Sequence, residues 1–226
     1  NDIVANGVIR MGGLSMTDIE NPSVKGNRFK FKDISNYPAI NFGTTVGGYT
    51  GKIIAARITN NTFTNAGIQF SSLFDVVDSE LLIENNVFDY KWSGFNPGNY
   101  VGVIRYAGYG VSKVNETVVF KNNVINYNAT NNFNLWSGVI LSFNSSIENL
   151  TLENVEVNYT GIVPSVNFGF IGSIGNSASF NSSNVIKNCL VNGASAIGAI
   201  KVSGTDKSVT IENSRDNNGN SITVRK

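Results

Sequence analysis

Apolar residues along this chain do not recur at the three-to-four spacing of a helix. They alternate with polar ones in short runs broken by Asn, Gly and Ser, which predicts many short strands. One phrase returns: ITNNTF from Ile58, IENNVF from Ile83, FKNNVI from Phe120, LENVEV from Leu152, IKNCLV from Ile186 and IENSRD from Ile211. Aligned on the apolar residue that opens each phrase, the anchors are Val24, Ile58, Ile83, Phe120, Leu152, Ile186 and Ile211, in steps of 34, 25, 37, 32, 34 and 25 residues. Two positions on stand Gly26, Asn60, Asn85, Asn122, Asn154, Asn188 and Asn213; five positions on stand Phe29, Phe63, Phe88, Ile125, Val157, Val191 and Asp216. A second element opens on Gly7, Gly67, Gly102, Gly138, Gly169 and Gly198, with weaker matches at Gly43 and Gly219. Glycine to next anchor spans 13 to 18 residues and anchor to glycine 8 to 19, so insertions concentrate in one connection of the unit.

A phrase that repeats every few tens of residues is one that stacks on itself. The chain therefore resembles the right-handed parallel β-helix superfamily, the architecture of pectate lyases, phage tailspikes, autotransporter passengers and adhesin-like surface repeats. The resemblance covers about residues 7 to 224 and rests on the periodicity and the Asn column. It implies an all-β, single-stranded right-handed parallel β-helix of about seven to eight coils, with residues 1–226 forming one domain. Handedness comes from that resemblance and from the general preference for right-handed crossovers.

In such a stack equivalent residues lie about 4.8 Å apart. Asn60, Asn85, Asn122, Asn154, Asn188 and Asn213 are thus expected to form a hydrogen-bonded structural ladder of amides. Anchors, with Ala56, Leu81, Val118, Leu150 and Val209 two positions earlier, are expected to fill the interior. Tyr90, Tyr127 and Tyr159, each seven after an anchor, are expected to stack. Cys189, the one cysteine, reads as a small packing residue.

The composition agrees: 35 Asn, 37 Ser plus Thr and 23 Gly favour turns and strands over helices. With 15% charged residues and a net charge of +1, nothing suggests nucleic acid or an acidic membrane surface as partner, and no apolar run is long enough to insert into a membrane. A chain that starts at Asn1 reads as a processed or excised segment of a longer one. Seven Asn-X-Ser/Thr sequons are possible glycosylation sites: Asn60, Asn115, Asn128, Asn144, Asn149, Asn158 and Asn181. Their number is what this composition produces by chance.

The inventory for chemistry is thin. Without any histidine, Ser-His-Asp and Cys-His arrangements are impossible within the chain, and zinc loses its commonest ligand. No phosphate-binding loop, dinucleotide fingerprint or EF-hand spacing occurs, so no cofactor is expected. Within the resembled superfamily, hydrolases carry Asn-Thr-Asp, Asp-Asp and Gly-His-Gly patches, none of which is present, and lyases use clustered acids for Ca²⁺ with an Arg as base. The nearest cluster here, Asp75, Asp78 and Glu80, has a spacing common on solvated loops, and no metal site is assigned. Arg57 and Arg105 read as surface residues on strands.

The strongest functional lead is the insertion at residues 89–100 with its counterpart at 126–136. Tyr90, Trp92, Phe95, Tyr100, Phe133 and Trp136 are expected to form an aromatic loop platform suited to glycans or to a protein interface. The expected function is a non-enzymatic extracellular or cell-surface structural or adhesive protein, a rigid rod or assembly building block. Its partners would be neighbouring subunits or further coils of the parent chain, with glycans possible through the loops. A polysaccharide lyase or glycoside hydrolase of the same fold, and a carbohydrate-binding module without catalysis, are the alternatives.

Overall fold

The computed structural model describes residues 2–3, 9–11, 19–31, 38–42, 53–71, 80–92, 102–107, 117–130, 137–143, 149–162, 168–173, 180, 182–193, 199–201 and 208–225. They form an all-β structure, with no helix among them and none, therefore, long and apolar enough to cross a membrane. The chain visits three long sheets in the same order on successive passes, and a fourth, two-stranded sheet pairs Ile19–Glu20 with Ile53–Ile54. An anchor sheet runs through Ser23–Lys25, Arg57–Thr59, Leu81–Glu84, Val118–Lys121, Leu150–Glu153, Val185–Lys187 and Thr210–Glu212. A post-turn sheet holds Asp2–Ile3, Arg28–Lys30, Thr62–Thr64, Val87–Trp92, Val124–Ala129, Glu156–Gly161, Leu190–Asn192 and Arg215–Asp216. A glycine sheet holds Ile9–Met11, Ile40–Phe42, Ile68–Ser71, Ile104–Ala107, Ser137–Phe143, Phe168–Ser173, Ala199–Lys201 and Thr223–Arg225. Among the described residues the strands are parallel throughout these sheets and no sheet closes on itself, which makes a solenoid-like stack.

The register joins the sequence columns directly. Val24, Ile58, Ile83, Phe120, Leu152, Ile186 and Ile211 pair in succession across the anchor sheet. Phe29, Phe63, Phe88, Ile125, Val157, Val191 and Asp216 do the same across the post-turn sheet. Equal register is forced, because a slip of one residue would turn each apolar column out to water. The columns fill one continuous core that includes Ile58, Ile83, Phe88, Phe120, Val157 and Ile186. Phe29, Phe63 and Phe88 stack at 4.9 and 4.7 Å between ring centroids, and Phe120 tilts against Phe88 at 5.8 Å.

Between anchor and post-turn strands the chain bends at one residue with positive φ. Asn60, Asn85, Asn122, Asn154, Asn188 and Asn213 have φ between 45° and 57°, and Gly26 takes the same place at 68°. Left-handed backbone suits glycine and asparagine best, which explains why these two alone share the column. The amide ladder runs one residue later. Asn61 Oδ1 accepts the Asn27 backbone N–H at 2.9 Å, Asn86 Oδ1 that of Asn61 at 2.9 Å, and Asn123 Oδ1 that of Asn86 at 2.8 Å. Side-chain amides link the same residues: Asn61 Nδ2 donates to Asn86 Oδ1 at 3.0 Å and Asn86 Nδ2 to Asn123 Oδ1 at 3.0 Å. In the turn column itself, Asn154 Nδ2 donates to Asn122 Oδ1 at 3.0 Å, on the exposed side.

The buried ladder ends where Val155 replaces asparagine, and Asn123 turns its Nδ2 to the carbonyls of Ile83 and Lys121. Cys189 occupies the next place and Ser214 the one after, whose Oγ accepts the Cys189 N–H at 3.1 Å. Cys189 is buried, and burial pushes its thiol up to about 11, as befits a packing side chain rather than a nucleophile.

Candidate functional site

Where the longer coils pass the bend at Asn65, the post-turn strands continue straight. Arg28–Lys30 and Thr62–Thr64 are both short, the latter stopping at Asn65, φ 53°, whereas the next three coils run on through Val87–Trp92, Val124–Ala129 and Glu156–Gly161. Asn65 Oδ1 accepts the Lys91 N–H at 2.8 Å and ties the step together. On the outer face of this ledge lies a shallow trough of about 390 Å³. One row along it is Thr64, Asp89, Asn126 and Asn158; the other is Lys91, Asn128 and Thr160.

The first row is a second amide ladder, open to solvent. Asn126 Nδ2 donates to Asp89 Oδ1 at 2.8 Å, Asn158 Nδ2 to Asn126 Oδ1 at 3.1 Å and Asn192 Nδ2 to Asn158 Oδ1 at 2.9 Å. In the second row Asn128 Nδ2 donates to Thr160 Oγ1 at 2.8 Å. The amides of the first row keep a further N–H and lone pairs, whereas Asn128 Oδ1 in the second row is buried. The trough thus offers donors and acceptors about every 4.8 Å over a flat, preordered surface. The surface that the trough presents is more apolar than polar, and its one carboxylate and one ammonium, Asp89 and Lys91, leave it without strong charge.

Behind the trough, Tyr90, Tyr127 and Tyr159 stack at 5.8 and 5.7 Å with interplanar angles of 17° and 11°. Tyr90 is therefore not a surface ring of a loop platform. Its column points inward, leaving it 2% exposed. Its hydroxyl presses on Gly67, where a Cβ would lie 2.6 Å from Tyr90 Oη and 2.8 Å from the Val103 carbonyl oxygen. Burial pushes the Tyr90 phenol up to about 12, although the nearby Arg105 guanidinium pulls the other way. Burial raises Tyr127 and Tyr159 as well, and Tyr159 Oη donates to the Ile162 carbonyl at 2.5 Å.

Arg57 is exposed as expected, but Arg105 is fully buried, with Nε donating to the Gly102 carbonyl at 3.5 Å. Nothing in its strand marked this, because the same column carries Arg10, Asn41, Gln69 and Ser142. Trp92 ends its strand, and its side chain lies outside the described residues, as do Phe95, Tyr100, Phe133 and Trp136 entirely. Asp75 and Asp78 also lie outside them, while Glu80 is exposed. Of the sequon asparagines, Asn115, Asn144 and Asn181 fall outside the described residues. Asn60 is exposed at a turn, Asn149 sits at another with φ 56°, and Asn128 and Asn158 spend an amide N–H in the trough. Among the described residues no group of three or more Cys, Asp or Glu could hold a metal ion.

The fold and face together define a class, an all-β stack of parallel sheets with an amide-lined outer surface. Compared with protein-family models, curated proteins and solved structures, the chain matches none.

Proposed function

We propose that the chain is a single-stranded, right-handed parallel β-helix that works as a rigid structural or adhesive rod outside the cell or on its surface, without catalysis. One observation carries this reading: side-chain polarity is spent on neighbouring coils. Asn27, Asn61, Asn86 and Asn123 satisfy one another inside, Asp89, Asn126, Asn158 and Asn192 outside. Such ladders stiffen a stack in one dimension and leave repeated faces for contact. Small-angle scattering of the purified chain tests the rod: an elongated particle of solenoid cross-section is expected, and a compact sphere would overturn it.

The trough favours a second reading, a carbohydrate-binding module, in which the amide rows hold sugar hydroxyls beside the aromatic insertions. Glycan-array binding lost in Trp92→Ala and Trp136→Ala, with no product released, is its expected outcome. Unsaturated or reducing-end products from acidic glycans would instead establish a lyase or hydrolase and overturn both readings.

A further inference from the structure

On the outer face of the anchor sheet one column alternates in charge. Glu84, Lys121, Glu153, Lys187 and Glu212 pair in register on consecutive coils, preceded by Thr59 and Lys25. Lys121 and Lys187 reach Glu153 from either side at 3.4 and 3.3 Å. These side chains remain open to solvent: Lys121 is 35%, Lys187 36% and Glu153 19% exposed. Two positions earlier along each strand, Leu82, Val119, Thr151 and Val185 are half-buried on the same face, flanked in the column by exposed Arg57 and Ser23 on one side and exposed Thr210 on the other.

We propose that this face docks a second copy of the chain, laid antiparallel to the first about a two-fold axis parallel to the strands. Such an axis sets each column against itself with the order of coils reversed. If it passes between the coils of Lys121 and Glu153, Glu84 meets the partner copy's Lys187 and Lys121 meets its Glu153. Both contacts occur twice, so these four charges each face their opposite, while Glu212 meets the partner copy's Thr59. In the adjoining column Leu82 then meets Val185, and Val119 meets Thr151. A single-sign column would repel its own copy, whereas an alternating one fits it at any odd displacement. The pairing within the chain leaves capacity for this, since an ammonium has three N–H donors and a carboxylate several lone pairs. Seven stacked strands make a strip about 29 Å long, so the contact belongs with small, reversible interfaces of micromolar affinity. The inference rests on the rod reading above, because only a straight, stiff face keeps the columns aligned.

Sedimentation velocity on the whole chain tests it. Wild type is expected to form dimers at low salt, weakened about tenfold or more by raising ionic strength to about 0.5 M. Lys121→Glu with Lys187→Glu makes the column acidic; Glu84→Lys with Glu153→Lys makes it largely basic. Each double variant alone is expected to be monomeric, and an equimolar mixture of the two to dimerise, which a purely intramolecular role would not produce. Should either variant fail to fold, wild type decides through zero-length carboxyl–amine cross-linking. Glu84 and Lys187 stand three strand spacings apart, about 14 Å, so a direct link between them can form only between copies. Monomers at all salt concentrations, a monomeric mixture of folded variants, or a dimer fraction without the Glu84–Lys187 link would overturn the docking. An elongated monomer would leave the rod reading standing.

Discussion

Replacing Asn86 by Ala should cost far more than replacing its neighbour Asn85 by Ala. The Asn86 side chain makes four hydrogen bonds in the interior. Its Oδ1 accepts the Asn61 backbone N–H at 2.9 Å and Asn61 Nδ2 at 3.0 Å, and its Nδ2 donates to the Ile58 carbonyl at 2.9 Å and Asn123 Oδ1 at 3.0 Å. Truncation strands one backbone N–H and one backbone carbonyl where water is excluded, each at about 1–3 kcal/mol, and leaves a small void besides. The sum is about 3–5 kcal/mol, a large part of the 5–15 kcal/mol typical of a domain. Asn85 is exposed with φ 55°, so Ala there adds only left-handed strain, about 1 kcal/mol. Urea unfolding followed by circular dichroism, with equal slopes for both variants, measures the difference. If Asn86→Ala falls within about 1 kcal/mol of Asn85→Ala, the buried amide ladder does not hold the bend as argued.

Gly67→Ala forces the new methyl against Tyr90 Oη and the Val103 carbonyl, and should destabilise by about 2 kcal/mol, part of which returns in a Tyr90→Phe background; thermal melts of the three proteins check this. Ala55 has φ 53°, so Ala55→Gly relieves strain and should stabilise by about 0.5–1 kcal/mol net of the entropy of glycine, read from the urea midpoint. Tyr90 is raised from 10.0 to about 12, so the stability of keeping it neutral is fully present below pH 10.0 and is lost as pH climbs toward 12. Absorbance at 295 nm should show exposed tyrosines ionising first and the stacked ones only with alkaline unfolding; simultaneous ionisation near pH 10.0 would contradict the burial. Burial acts to raise the Glu153 carboxyl, yet bonding to Lys187 and Lys121 prevails and holds it low, so that stability is present above the usual glutamate range and is lost as pH falls through the depressed value. Glu153→Gln should flatten the acid limb of the stability curve.

The anchors were legible because a parallel stack in equal register repeats one environment on every coil, and selection for that environment writes a column. The same logic located the Tyr90, Tyr127 and Tyr159 stack. It misplaced the buried amide ladder by one residue, since Asn60 and Asn61, Asn85 and Asn86, and Asn122 and Asn123 are adjacent pairs. Two signals separate them. Gly26 in the first column is intelligible only as left-handed backbone, and Val155 with Cys189 in the second only as burial. The aromatic platform was harder, because a ring's spacing tells which face of its strand it takes but not what covers that face. Tyr90 went inside with its column, and Arg105 was buried by surroundings that its strand neighbours Ile104 and Tyr106 do not announce.

The ladders hand over to one another along the stack. Amides and phenyl rings bridge the coils from Asn27 and Phe29 to Asn123 and Phe120; tyrosines bridge those of Tyr90, Tyr127 and Tyr159; lysines and Glu153 bridge those of Lys121 to Lys187. The coils around Ile83 and Phe120 take part in more than one kind. In a one-dimensional stack each interface must be stable against its own neighbours, since no distant contact compensates a weak junction. Overlap of dissimilar ladders meets that need without requiring any one column to be perfect. It leaves the outward positions free to vary, and on those positions the neutral amide trough and the alternating charge column lie on different sheets. A stack built this way presents two chemically distinct faces at once, one bordered by neutral amides and one by alternating charges.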